Sequence, residues 1–101
     1  MMHEVEILED SKQEKFAAPD CHINKDTNDE IKWINRTTKD CVLEFVETPF
    51  EQGKTFDVKK GDFAVSKSLR KDAEKEHWYA YEIRATVGAK VMAADPNVIV
   101  H

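Results

Sequence analysis

Cysteine, glycine and proline are scarce in this chain, and it has no long apolar run. Its 101 residues include two cysteines, three glycines and three prolines. Two cysteines are too few for a disulfide scaffold, and so little glycine and proline excludes a fibrous or low-complexity chain. No stretch has the length of a membrane-spanning helix, and the first ten residues lack the basic and apolar regions of a secretory signal. We therefore expect a soluble globular protein, cytoplasmic or a mature periplasmic form, with the compartment left open.

Positive charge is not concentrated anywhere in the sequence. Fifteen Lys and Arg residues against twenty Asp and Glu residues give a formal net charge of -5. Scattered cations of this kind predict neither nucleic acid nor an anionic membrane surface as a partner. The length fits a single domain, residues 1–101, with one modest hydrophobic core.

The densest apolar pattern lies at residues 31–46 and predicts a strand, a polar turn and a second strand. Ile31 and Trp33 share one face by period-two alternation, and Cys41, Leu43 and Phe45 repeat the pattern after the turn. This pair supplies half of a β core.

Similar short alternating runs occur along the rest of the chain. We predict further strands at residues 2–8, 20–24, 54–58, 63–65, 78–83 and 98–100. Phe50 is expected to pack under the sheets from its loop, and residues 68–77 to form a charged connection with room for one helical turn. Seven or eight short strands with turn signals between them predict an all-β, antiparallel Greek-key sandwich.

The order of several short motifs resembles the cupredoxin family over almost the whole chain. The motif residues, in order, are Phe16, Pro19, Ile23, Ile31, Lys32, Trp33, Ile34, Asn35, Pro49, Phe50, Phe56, Asp57, Val58, Gly61, Tyr79, Ala80, Tyr81, Asp95, Pro96, Asn97, Val98, Ile99 and Val100. The resemblance implies a cupredoxin-like β-sandwich. It also implies a site at one end of the sandwich, where many members hold one copper ion for electron transfer.

The copper ligands of that family are mostly not matched. A blue-copper site needs a thiolate, two imidazoles and a weak axial ligand. The resemblance places Cys41 where the first histidine ligand is expected and Ile83 near the expected cysteine, and no Cys or His occurs in residues 83–100. Met92 lies near the expected methionine, so three of the four ligand positions are missing.

Cys41 and Met92 are nevertheless the candidate metal ligands. Two sulfur atoms suit Cu(I), whereas the alternative is that a core cysteine and a gap-filling methionine only pack. Cys21 could form a disulfide with Cys41, although the resemblance places the two toward different ends of the core. Cys21 and His22 are adjacent in a strand, so their side chains point to opposite faces and cannot share an ion.

No catalytic constellation is present in the sequence: it lacks a nucleophile elbow, a zinc-protease motif and a phosphate-binding glycine loop. We therefore predict a non-catalytic domain without a resident cofactor that binds a protein or small-molecule partner, with loops 66–77 and 84–94 as candidate recognition surfaces. Homodimerisation through a sheet edge is left open. The alternative function is a divergent copper-binding or electron-transfer protein that uses Cys41 and Met92.

Overall fold

The described part of the chain is all-β. The structure is a computed structural model that describes residues 1–10, 15–86 and 96–101. Within these ranges it contains no helix and nine strands, which are β1 (Met2–Asp10), β2 (Lys15–Ala17), β3 (Cys21–Ile23), β4 (Glu30–Asn35), β5 (Cys41–Phe45), β6 (Thr55–Val58), β7 (Phe63–Val65), β8 (His77–Ala85) and β9 (Asn97–Val100). The ninth strand arises because the segment before Cys21 forms a strand of its own, β2, ahead of Pro19.

The strands form two mixed sheets. One has four strands in the order β2-β1-β4-β7, and the other has five in the order β3-β9-β8-β5-β6. Buried side chains of both sheets join in one hydrophobic cluster. The arrangement is consistent with a β-sandwich.

The prediction that every strand pair is antiparallel was wrong for two pairs. β1 runs parallel to β4, with Val5 opposite Trp33, and β3 runs parallel to β9, with Cys21 opposite Val98. In both cases the chain leaves the sheet between the two strands, as a parallel pair requires. Alternation of apolar residues shows which face of a strand is buried, but it does not show which strand lies beside it or in which direction.

The core is built around Trp33. Its indole ring lies between 5.0 and 6.3 Å, centroid to centroid, from the rings of Phe45, Phe50, Phe56 and Tyr81. Phe50, which belongs to no strand, is fully buried, as the sequence predicted. The aromatic residues that alternate along the strands therefore fill the core and do not line a ligand cleft.

The charged connection at residues 68–77 contains turns and no helix. Leu69 and Ala73, its two apolar residues, are both buried, and Leu69 forms an isolated β-bridge with Phe50. Two apolar residues are too few for an amphipathic helix, and here they fix an irregular segment onto the core instead. None of the described segments is a helix able to span a membrane.

Candidate functional site

Cys41, the predicted metal ligand, lies in the core at one end of the five-stranded sheet. It is the first residue of β5, where Val58 of β6 and Ala85 of β8 are its register partners. Its side chain is 1% exposed and its thiol is free. Met92 lies outside the described residues, so the pairing of the two sulfur atoms stays a prediction.

A buried amide organises the turn that leads to Cys41. The Asn35 side chain donates hydrogen bonds to the carbonyls of Lys39 at 2.8 Å and Val58 at 2.9 Å. Its oxygen accepts from the backbone nitrogen of Thr37 at 2.9 Å and from the Thr37 hydroxyl at 2.7 Å. Both amide donors and both oxygen lone pairs are thus used. Asn35 therefore holds together the turn, the end of β6 and the start of β5.

The Cys41 thiol belongs to the same network. Its sulfur lies 3.5 Å from the Lys39 carbonyl, to which it donates, and 3.7 Å from the Thr37 hydroxyl. Burial raises the pKa of the Cys41 thiol above its ordinary value. A metal ion would therefore have to displace the proton of a buried thiol, which burial makes less favourable.

The described residues beside Cys41 include two carboxylates, Asp40 and Asp57. In the described ranges, no group of three or more His, Cys, Asp and Glu residues is placed to hold an ion. The depression beside Cys41 has a volume of about 230 Å³, and its lining includes Asp40, Asp57 and Lys59. Among the described residues, this end of the sheet presents mixed charge and one buried thiol.

Cys21 occupies a different place from Cys41. Both thiols are free, and the register places Cys21 beside Val98, which in turn faces Tyr79 of β8. Cys41 faces Ala85, six positions further along β8, which corresponds to about 20 Å along the strand. A disulfide requires Cα atoms within about 7 Å, so the two cysteines are not bonded. As predicted, Cys21 is buried and His22 is exposed.

The outward face of the five-stranded sheet carries the most exposed aromatic side chain in the described part of the chain. Trp78 is 60% exposed on β8 and faces Ile99 of β9, which is buried although it points outward. Continuing the β5–β8 register places Val46, 79% exposed, beside Ala80. These four residues (Val46, Trp78, Ala80 and Ile99) form what we call the Trp78 patch.

Carboxylates border the Trp78 patch. Glu44 and Glu82 face each other directly across β5 and β8. Glu44 is held by Arg84 in a two-pronged ion pair, at 2.8 and 3.3 Å, whereas the Glu82 carboxylate forms no ion pair or hydrogen bond with any described residue. A shallow depression of about 410 Å³, whose lining includes both glutamates, Val46 and Lys54, lies beside the patch. An apolar surface bordered by a carboxylate that forms no ion pair with a described residue suits a partner that carries a cation.

The Trp78 patch was not predicted as a site, although a signal for it is present in the sequence. Tyr79, Tyr81 and Ile83 alternate with Trp78 and Ala80, so the tryptophan had to point away from the core. Of the two loops predicted to carry recognition, residues 66–77 are mostly exposed or partly exposed, although Ser66, Leu69 and Ala73 are buried. Ser66 is buried and its hydroxyl accepts a hydrogen bond from the Ile31 nitrogen at 2.8 Å. Residues 87–94 of the second loop lie outside the described residues.

Comparison with known proteins adds no family assignment. No protein-family model matches the chain, and no curated protein is similar enough in sequence to count as a relative. The resemblance to cupredoxins therefore stays a hypothesis that rests on the motif order alone.

Proposed function

We propose that this chain is a non-catalytic, cupredoxin-like Greek-key domain that binds a partner protein through the Trp78 patch. The exposure of Trp78 carries the proposal. Tryptophan is the residue type most enriched among the side chains that dominate binding energy at protein interfaces. Exposed tryptophan and valine side chains on one face, Trp78 and Val46 beside the buried Ile99, are a costly surface for a protein that binds nothing there.

The charge around the patch indicates the chemistry of the partner. The outward face carries the carboxylates of Asp20, Glu44, Glu82 and Asp57 against the guanidinium of Arg84, and Lys54 lines the depression beside the patch. The proposed partner therefore presents an apolar side chain to Trp78 and a lysine or arginine to Glu82. A second copy of this chain would place like charges opposite each other, so the charge balance favours a different protein over a homodimer.

A second exposed aromatic residue gives a matched comparison. Phe63 of β7 lies on the other sheet and is 51% exposed. The ammonium of Lys32 lies 4.3 Å from the centre of its ring, so part of its surface is already covered by a cation. Phe63 is therefore a control for exposure of an aromatic ring outside the proposed interface.

The test is site-specific photocrosslinking followed by affinity measurement. A photoreactive phenylalanine analogue placed at position 78 should crosslink a protein in cells, and the same analogue at position 63 should not. With that protein purified, Trp78→Ala should weaken binding by about 2 kcal/mol or more, as central interface residues do. Glu82→Lys should slow association and reduce its dependence on salt.

Two outcomes would overturn the proposal. The first is a partner whose affinity is unchanged by Trp78→Ala, or which crosslinks only from position 63. The second is a crosslink between two copies of this chain at position 78, together with concentration-dependent dimerisation in sedimentation experiments that Trp78→Ala abolishes. That result would show that the Trp78 patch binds a second copy of this chain and not a different protein.

A further inference from the structure

A pair of histidines far apart in the sequence meets at the surface. His22 lies on β3 and His101 follows β9, and the Nδ1 atom of His22 lies 2.8 Å from the Nε2 atom of His101. Their ring planes differ by 10°, and the ring centroids are 5.1 Å apart. That separation is about the sum of the distance between the two nitrogens and the distance from each nitrogen to the centre of its own ring. The imidazoles therefore meet edge to edge and nearly coplanar, with one nitrogen of each directed at the other.

A carboxylate lies behind one of the two rings. The Nδ1 atom of His101 is 3.1 and 3.2 Å from the two carboxylate oxygens of Glu76. A carboxylate accepts a hydrogen bond from this nitrogen, so Glu76 places the proton of neutral His101 on Nδ1. The lone pair of Nε2 is then directed at His22. A carboxylate behind a histidine whose other nitrogen faces a ligand position is the arrangement that orients histidines at metal sites.

We propose that His22 and His101 form a binding site for a divalent transition-metal ion of the zinc class, with Glu76 as a positioning residue. Imidazole nitrogens suit zinc, cobalt, nickel and copper ions. Metal–nitrogen distances of about 2.0–2.1 Å place two nitrogens on a tetrahedral ion about 3.3 Å apart. The observed gap of 2.8 Å needs to open by only about 0.5 Å. Each ring must also turn by about 35°, so that the two lone pairs meet on a tetrahedral ion instead of pointing at each other, and both side chains are exposed enough to do so.

The ion takes the place of the proton between the two rings. In the metal-free pair His22 donates its Nδ1 proton to His101. On binding, neutral His22 carries its proton on Nε2 instead, and both facing nitrogens donate lone pairs to the metal. Because the described residues contain no group of three metal-binding side chains, water fills the remaining positions, and the ion is exchangeable.

This site is distinct from the Cys41 end of the molecule. Glu76 immediately precedes the first residue of β8. Ala85, the register partner of Cys41, is the last residue of the same strand. Nine positions along a strand correspond to about 30 Å. A metal bound by the histidine pair can therefore be told apart from one bound at Cys41.

The test is a titration of the full chain with Zn²⁺ and Co²⁺, followed by calorimetry and by NMR of the histidine side chains. One ion should bind, and Co²⁺ should selectively broaden the signals of His22 and His101. His22→Gln and His101→Gln should each weaken binding at least tenfold. Glu76→Gln should keep both ligands and weaken binding by about 10- to 100-fold, as the loss of an orienting carboxylate does.

His77→Gln is the matched control. His77 is partly exposed near the same end, and its ring nitrogens lie against Glu47 and Glu74, at 3.6 and 3.4 Å, rather than against the pair. The His77→Gln variant should leave the affinity for the metal ion unchanged. Absence of binding in the wild-type chain would overturn the proposal. Broadening of the NMR signals of His3 or His77 alone would also overturn it. The same holds for binding that is unchanged in His22→Gln and His101→Gln but lost in Cys41→Ser. The broadening pattern needs no variant, so a variant that fails to fold leaves the result decisive.

Discussion

The indole nitrogen of Trp33 donates a hydrogen bond of 3.3 Å to the hydroxyl of Tyr81 inside the core. Trp33 belongs to β4 of the four-stranded sheet and Tyr81 to β8 of the five-stranded sheet, so one polar contact joins the two sheets within apolar surroundings. Burial raises the pKa of the Tyr81 phenol well above its usual range. The hydroxyl therefore stays protonated and remains a neutral acceptor for the indole.

Tyr81→Phe should destabilise the protein by about 1–2 kcal/mol, because the buried indole nitrogen of Trp33 then has no acceptor. Urea unfolding followed by circular dichroism measures the change. Tyr79→Phe is the control: the Tyr79 hydroxyl accepts from the Glu74 nitrogen at 2.8 Å in a partly buried position, where water can replace it. Equal losses of stability in the two variants would contradict the inference that the Tyr81 hydroxyl joins the two sheets.

The strands around Trp33 could be predicted from the sequence because each has one buried and one solvent-facing side. Trp33, Leu43 and Tyr81 all occupy the inward positions that period-two alternation predicts, and all three are buried. Phe50 was also predicted correctly, since an isolated aromatic residue in a polar loop gains most by packing into the nearest core.

Contacts between distant segments could not be predicted from the sequence. The parallel pairing of β1 with β4 and the meeting of His22 with His101 depend on how the strands assemble, and local alternation carries no information on that. Trp78 is an intermediate case. Alternation places it on the outward face but does not show whether another layer covers that face. Ile99, its neighbour on the same face, is buried.

Asn35→Ala should cost about 3 kcal/mol of stability, because it leaves several buried backbone groups without a partner, each worth about 1–3 kcal/mol. Thermal or urea unfolding measures the loss. Thr38→Ala, in the same turn, removes an exposed hydroxyl that donates to Glu9 at 2.8 Å and should change stability by about 0.5 kcal/mol or less. A small effect of Asn35→Ala would show that water replaces the amide.

The Asp29 carboxylate should make stability depend on pH in the acid range. Hydrogen bonds from the hydroxyl of Thr27 at 2.6 Å, the ring of His3 at 2.8 Å and the backbone nitrogen of Asn24 at 3.0 Å hold the pKa of Asp29 well below its usual range. Because the pKa of Asp29 is lower in the folded than in the unfolded state, its charge stabilises the protein at pH values above about 3.9, the pKa of an unfolded aspartate. This stabilisation is lost as the pH falls below that value.

Asp29→Asn should therefore be less stable than the wild type at pH 7, and the two stabilities should converge as the pH is lowered from about 4 to 2. Unfolding curves over this range measure the convergence. Asp26→Asn, which removes an exposed carboxylate paired with Lys75 at 2.8 Å, should follow the wild-type curve. A constant difference between wild type and Asp29→Asn at every pH would show that Asp29 acts through packing and not through its charge.

Cys41 should not bind Cu(I) in the folded protein. Its side chain is 1% exposed and burial raises the pKa of its thiol, so an ion would have to reach a covered sulfur atom and displace its proton. In an anaerobic Cu(I) titration, the wild type and Cys41→Ser should therefore show the same stoichiometry and affinity, and Met92→Leu should match both. Unfolding in urea should expose the thiol and create a difference in Cu(I) binding between wild type and Cys41→Ser.

Tight binding of one Cu(I) by the folded chain that disappears in both Cys41→Ser and Met92→Leu would instead support the copper-carrier alternative, because only a shared two-sulfur site depends on both residues.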